Sequence, residues 1–258
     1  MEEIHRYAGF SSSSIHKLVK EGSRKMTPDE LRLFKEANPK STKKNCDEGF
    51  QKAGLTYIKQ VRHEKRLGKR LKKETSAKQT SWGKFMEKRA FDLMPDLSFR
   101  LVSKTRYKHQ TIDNWTGMPD LIKELHVGDI KCPYDLETFC DKIDALKDIQ
   151  TYKKEFEEDY WQNISNACIL ESNGIKVNKM VPVIYVPYVS ELEQIRDDVY
   201  NFDGDQNSIA WINWAEDDQL PCILEGRQDV NMNIFLFDIP REDMEYLESR
   251  VIEANKLL

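Results

Sequence analysis

Apolar and polar positions change period several times along the chain, and each change predicts an element. A serine run, Ser11 to Ser14, leads into Ile15-His16-Lys17-Leu18-Val19, which reads as an N-cap followed by a short helix. Thr27-Pro28-Asp29-Glu30-Leu31 opens a second helix with proline and acids in its first turn, and Asn38-Pro39-Lys40-Ser41 breaks it. From about Asp47 to Lys73 the pattern is helical and strongly basic, and Thr75 to Thr80 reads as a polar joint. Trp82, Phe85, Met86 and Ala90 form one stripe of a helix over Ser81 to Phe91, with Glu87 at the border of that stripe. Leu97 to Lys108 alternates loosely and predicts a strand. Gly117 to Ile122 and Val127 to Cys132 predict two short strands joined by a tight turn near Glu124. Phe139 to Ser172 predicts helix in two pieces. Met180 to Val189 predicts a strand whose prolines put it near an edge or a bend. Residues 201 to 230 are irregular and acidic, Asn233 to Phe237 is a last strand, and Arg241 to Leu258 a closing amphipathic helix. With no internal repeat and no low-complexity linker, the simplest account is one α/β domain over residues 1–258, a central mixed sheet flanked by helices. It divides into a helical, basic part (1–80), a core (81–190) and an acidic part (191–258).

Composition adds limits. At 39% hydrophobic and 33% charged residues in a chain of 258, a single large core is affordable but sparing. No apolar run approaches the twenty residues of a membrane span, and Met1 to Phe10 has no signal-peptide core, so a cytoplasmic address and no membrane partner are expected. Five scattered cysteines without a C-x-x-C pair argue for reduced, mostly buried thiols rather than disulfides or a zinc or iron–sulfur site. The net charge of −4 hides an asymmetry: Lys59 to Lys108 holds sixteen Lys/Arg against five Asp/Glu, and Ser190 to Leu258 five against seventeen. A basic half of this kind can attract a polyanion, or can be no more than a solvated helix.

The chemistry concentrates in the hairpin. Met118-Pro119-Asp120 precedes Gly128-Asp129-Ile130-Lys131, and strand periodicity puts Asp129 and Lys131 on one face with Ile130 on the other. A short turn brings Asp120 alongside, so that two carboxylates and an ammonium share a small volume. Hydrolysis of a phosphodiester can be carried by such a group: carboxylates to hold a divalent ion and a cation beside them. The spacing by itself equally admits a surface charge pair, because acid-x-lysine triplets are common by chance. This chain has one, set between apolar Val127, Ile130 and Cys132.

The order of motifs resembles the phage lambda exonuclease-like branch of the PD-(D/E)XK nucleases. Gly83 and Glu87 match its glycine-x-x-x-glutamate helix, Asp129-Ile130-Lys131-Cys132-Pro133 its acid-x-lysine-Cys-Pro strand, and Tyr160-Trp161-Gln162 its Tyr/Gln-bearing helix. Ser11 to Leu18 and Glu245 to Leu258 are similar to its first and last helices. Asp129 departs from the glutamate more usual there and is one methylene shorter.

The resemblance implies a restriction-endonuclease-like core and a Mg²⁺- or Mn²⁺-dependent exonuclease acting on duplex DNA ends. Asp120, Asp129, the Ile130 carbonyl and Glu87 would hold the metal. Lys131 would hold the attacking water or scissile phosphate, with Gln162 and Tyr160 close by, while Tyr160 as a packing residue and Gln162 as a solvated one stay open; Tyr152 and Lys154 are a weaker version of the same idea. Ser13 and Ser14 could bind a 5′-phosphate at a helix N-terminus. Lys65, Arg66, Lys69 and Arg70, with Lys72 and Lys73, would follow the DNA backbone. His126 reads as structural. The resemblance also implies phage-type recombination, with a single-strand annealing protein as partner and a ring-like homo-oligomer. The alternatives are an endonuclease on the same core, in restriction or repair, and a non-catalytic DNA-binding recombination protein.

Overall fold

The computed structural model describes residues 8–71, 77–95 and 98–258. In chain order it begins with β1 (Phe10–Ser11), α1 (His16–Val19), β2 (Glu21–Lys25), α2 (Pro28–Ala37), β3 (Asn45–Phe50), α3 (Lys52–Leu67) and α4 (Lys78–Asp92). Short strands β4 (Arg100–Leu101), β5 (Tyr107–Lys108) and β6 (Trp115–Gly117) precede β7 (Leu121–Lys123) and β8 (Leu125–Lys131). Helices α5 (Leu136–Ala145), α6 (Ile149–Glu155) and α7 (Glu157–Ser172) lead to β9 (Val177–Tyr185). Then come α8 (Leu192–Tyr200), β10 (Met232–Ile234), β11 (Phe237–Asp238) and α9 (Arg241–Asn255).

The central sheet has the order β10-β9-β8-β7-β4, with β11 also on β9. It is mixed: β8 and β9 run parallel, and the other neighbours are antiparallel. Each face buries its own apolar layer. Val127, Met180 and Ile184 pack with α1, α3, α5, α7 and α9, whereas Ile130, Val181 and Val183 pack with α4 and α8. A strand buried on both faces needs side chains of both parities to be apolar, and β9 reads that way. This is the mixed sheet flanked by helices that the sequence predicts. No described helix is long and apolar enough to cross a membrane.

Several boundaries differ from expectation. The N-terminal part is not all helix: β2 pairs with β3 as an antiparallel ribbon, so residues 47–50 are strand and α3 starts only at Lys52. Helix α4 begins at Lys78, taking up the end of the expected polar joint. The expected strand over residues 97–108, of which Leu97 lies outside the described residues, is two short strands in different sheets. Gly117 likewise belongs with β1 and β5 rather than to the hairpin. A Cβ on Gly117 would stand 2.4 Å from both Asn166 Oδ1 and Ser12 Oγ, so α7 and the serine turn approach this sheet closely because the residue is glycine.

The helical stretch 139–172 is three helices rather than two. Asp135 and Asp148 each accept a backbone N–H three residues on, from Thr138 and Thr151, and so cap new helices. Strand β9 is interior, not an edge. Its Pro182 is tolerated because the outer partner breaks there: β10 ends at Ile234, β11 starts at Phe237, and between them the Phe235 N–H donates to the Pro182 carbonyl at 3.0 Å. All five cysteines are free thiols; Cys132, Cys168 and Cys222 are buried, Cys46 is half-buried and Cys140 exposed.

Candidate active site

The β7–β8 hairpin is what gathers the site. Leu121, Ile122 and Lys123 pair with Gly128, Val127 and His126, and Leu125 turns the chain with φ of 61°. Asp120, just before β7, is fixed at both ends. Its N–H donates to the Gly128 carbonyl at 3.2 Å, and its Oδ2 accepts the Ile130 N–H at 2.8 Å. Alternation along β8 then points Asp129 and Lys131 towards α7, while Ile130 anchors the other face among Trp82 and Met86.

Helix α7 answers with Gln162. Its Nε2 donates to Asp129 Oδ1 at 2.7 Å, and its Oε1 accepts from Lys131 Nζ at 3.2 Å. Lys131 Nζ also lies 2.7 Å from Asp129 Oδ2, an ion-pair contact, and 3.6 Å from Asp159 Oδ1. Asp159 in turn pairs with Lys142 of α5. Glu87 enters from α4 with Ser103 bonded to it. Glu87, Asp120, Asp129, Lys131, Lys142 and Gln162 line one cavity of about 290 Å³, with Gly83 and Pro133 also in its wall. A larger cavity of about 660 Å³ adjoins it across Lys84 and Glu87, bounded by Leu101, Val102 and Phe202. Apart from Glu87 it carries none of the acid–lysine cluster.

The electrostatics follow from this crowding. Burial, then the charges of Asp129 and Glu87, push the Asp120 carboxyl well above the usual range. Burial and Asp129 also raise Glu87, against the Ser103 bond. Burial opposes the charge on Lys131, but Asp129, Asp159 and Asp120 outweigh it and hold the ammonium well above its ordinary value. Asp159 would be raised by burial, yet Lys131 and Lys142 keep it below the carboxylate norm.

This donor set fits a hard divalent ion in kind: carboxylates from Glu87, Asp120 and Asp129, and the Ile130 carbonyl, line one cavity together with Lys84, Lys131 and Lys142. Among the described residues, no three such side chains already close on one point. Asp129 is turned towards Lys131 and Gln162, and Asp120 towards the Ile130 N–H.

Other expected contacts separate from this site. Tyr160 is fully buried and its hydroxyl donates to Asp243, so of its two expected roles it takes packing and does not stand in the cavity as a DNA contact. Tyr152 is buried against it. Ser13 and Ser14 lie half-buried in a 3-10 turn, Ser12–Ser14, before a four-residue α1. So short a helix lacks the dipole on which the 5′-phosphate reading relied. Ser12 turns inward to Ser165 at 2.8 Å. Lys65 and Arg66 end α3, and Lys69 and Arg70 follow it; none lines the cavity, and Lys72 and Lys73 lie outside the described residues. His126 packs its ring edge-on to Phe99, in keeping with a structural role. Sequence reasoning missed Asp159 and Lys142. Asp159 had a signal, three residues before Gln162 on the same helical face; Lys142 had none.

The molecule has the architecture of a group of exonucleases. Similar solved structures are an alkaline exonuclease from Laribacter hongkongensis, LHK-Exo (12% identity over 98% of this chain and 89% of that one, TM-score 0.55), and LHK-Exo in complex with dAMP (13%, 98% and 89%, TM-score 0.55). A phage related exonuclease from Haemophilus somnus 129PT is similar at 14% identity over 96% of this chain and 92% of that one, with a TM-score of 0.59. At such identities the finding is a shared fold. No family model matches the sequence, and no curated protein matches it.

Proposed function

We propose that this chain is a metal-dependent deoxyribonuclease that hydrolyses DNA phosphodiesters, working inward from duplex ends. The observation that carries this reading is the single cavity in which Asp120, Asp129, Lys131 and Gln162 are interlocked with Glu87 at its wall. The shared fold with exonucleases supports it, and dAMP, which LHK-Exo binds, is the kind of unit that stepwise DNA cleavage releases.

Mg²⁺ or Mn²⁺, held by Asp120, Asp129, the Ile130 carbonyl and Glu87, would supply charge for the phosphate and acidify a bound water. The chain's own residues do the rest. Asp120 spends one oxygen on the Ile130 N–H, which fixes its direction and leaves the other for a ligand. Gln162 holds Asp129 and Lys131 in a fixed relation through the two ends of one amide. Lys131, charged throughout the neutral range, presents an ammonium to the water or to a non-bridging phosphate oxygen; its raised pKa makes it an electrostatic group rather than a base. Cys132 and Pro133 line the cavity next to Lys131.

The annealing-protein partner and the ring-like oligomer rest on the sequence resemblance alone. The test of the function is digestion of linear and closed circular duplexes of one sequence with Mg²⁺. Release of mononucleotides from the linear form only is expected. Cleavage of the circle would replace the end-directed reading with an endonuclease, and binding without cleavage of either would leave a non-catalytic DNA-binding protein.

A further inference from the structure

Asp159 is a carboxylate only 13% exposed, with a lysine on each oxygen: Lys131 Nζ at 3.6 Å from Oδ1, and Lys142 against Oδ2. Lys131 already has Asp129 at 2.7 Å and Gln162 at 3.2 Å, so it does not depend on Asp159 for a counter-charge. Lys142 is the lysine that does. Its side chain is 12% exposed, crosses from α5 to α7, and sets the ammonium 4.3 Å from the centroid of the Phe156 ring. It nonetheless borders the cavity of the metal-binding acids rather than bulk solvent. An ammonium has three donors. Asp159 takes one and the Phe156 face lies against the ammonium, so a donor is free to meet an anion in the cavity that Lys142 lines. Pulling a lysine out of water and fixing it with a buried acid is costly, and an apolar pair of equal volume would serve packing as well. The arrangement suits an anion that arrives in the cavity, and a DNA strand brings a phosphate on every nucleotide.

We propose that Lys142 is a substrate-binding residue that grips a backbone phosphate next to the scissile one, with Asp159 as the positioning residue that sets Lys142 and Lys131 side by side. This rests on the nuclease reading above. It predicts that one counterion-releasing phosphate contact belongs to Lys142.

The test is the dependence of kcat/KM on KCl, with Mg²⁺ and an end-labelled linear duplex, for wild type, Lys142→Arg, Lys142→Met and Lys142→Met/Asp159→Asn. The double variant removes both charges together, so it guards against a single variant destabilised by Asp159 left with only the 3.6 Å contact to Lys131; thermal unfolding checks that each variant folds. Where chemistry is slower than DNA release, the slope of log kcat/KM against log [KCl] reports the phosphate contacts, because the chemical step then enters only as a constant factor. In Lys142→Met and in the double variant it should become shallower by about 0.9. Lys142→Arg should keep the wild-type slope. Loss of one charged hydrogen bond should also lower kcat/KM of Lys142→Met about tenfold at low salt. A folded, cleaving double variant with the wild-type slope overturns the proposal and leaves the nuclease reading intact. A wild-type protein that cleaves no DNA overturns that reading, and this proposal with it.

Discussion

Gln162 holds Asp129 by a hydrogen bond of 2.7 Å between helix α7 and strand β8, 33 residues apart in the chain. Through its other amide atom it also receives Lys131 at 3.2 Å. One side chain therefore sets the orientation of both the carboxylate and the ammonium of the hairpin motif.

Gln162→Ala should leave folding intact and lower kcat about 10- to 100-fold with little change in KM, the usual cost of losing a group that orients a metal ligand. Steady-state cleavage of a duplex substrate checks this. A variant with wild-type kcat would mean that the Asp129–Lys131 pair is oriented by the strand alone.

Metal and pH are coupled in a definite direction. The folded protein holds the Asp120 and Glu87 carboxyls above their unfolded values, so between the two the folded state binds more protons. Stability of the metal-free protein should then fall as pH rises from the ordinary carboxylate range through the raised folded values. Mg²⁺, which takes the deprotonated oxygens, should restore it above that window and do little below it. Asp120→Asn in EDTA should be more stable than wild type at neutral pH by a few degrees, about 2–4 °C for each kcal/mol at this size, and should gain less from Mg²⁺. Thermal unfolding across pH with EDTA or Mg²⁺ measures both. A wild type whose Tm ignores Mg²⁺ at neutral pH would contradict the ligand assignment.

Tyr160 separates packing from substrate contact. Its hydroxyl is buried on Asp243, which Lys153 also holds at 2.7 Å through both oxygens. Burial, then Asp243, raise the phenol above its ordinary value, so it stays a donor at any working pH. Tyr160→Phe should cost about 1–3 kcal/mol of stability by taking a donor from a buried acid. Its cleavage rate per folded molecule and its DNA affinity should be unchanged; a large loss of affinity with stability preserved would return Tyr160 to the interface.

Arg250 links the last helix to the N-terminal part. It donates to the Leu18 carbonyl at 2.9 Å and the Gly49 carbonyl at 2.6 Å, and lies 4.0 Å from the Phe50 ring centroid. Arg250→Met should destabilise by about 2–4 kcal/mol, because buried carbonyls lose their donor. Limited proteolysis should find the first cuts in residues 20–50, which that side chain holds in place.

The hairpin acids were legible in the sequence because period 2 and a tight turn fix their faces without reference to the rest of the chain. Gln162 was legible only through resemblance to a known motif. Lys142 was not, since its partner Asp159 comes from another helix and nothing local marks the meeting. The β2–β3 ribbon was hidden for a different reason: Glu21-Gly22-Ser23-Arg24-Lys25 and Asn45 to Gly49 have no apolar alternation, and pairing is supported by ion pairs such as Arg24 with Glu48. Pro182 misled because the cost of a missing N–H depends on where the neighbouring strand breaks, which is a property of residues 235–236 and not of β9 itself.

Asp120, Asp129 and Lys131 are proposed to act as one hydrolytic centre. Single-turnover digestion of an end-labelled duplex with Mg²⁺, comparing wild type with Asp120→Asn and Lys131→Ala at matched folded concentration, tests it most directly. Metal-dependent cleavage by wild type is expected, with a loss of at least about a hundredfold in each variant and DNA still bound. Cleavage by Asp120→Asn at the wild-type rate would contradict it.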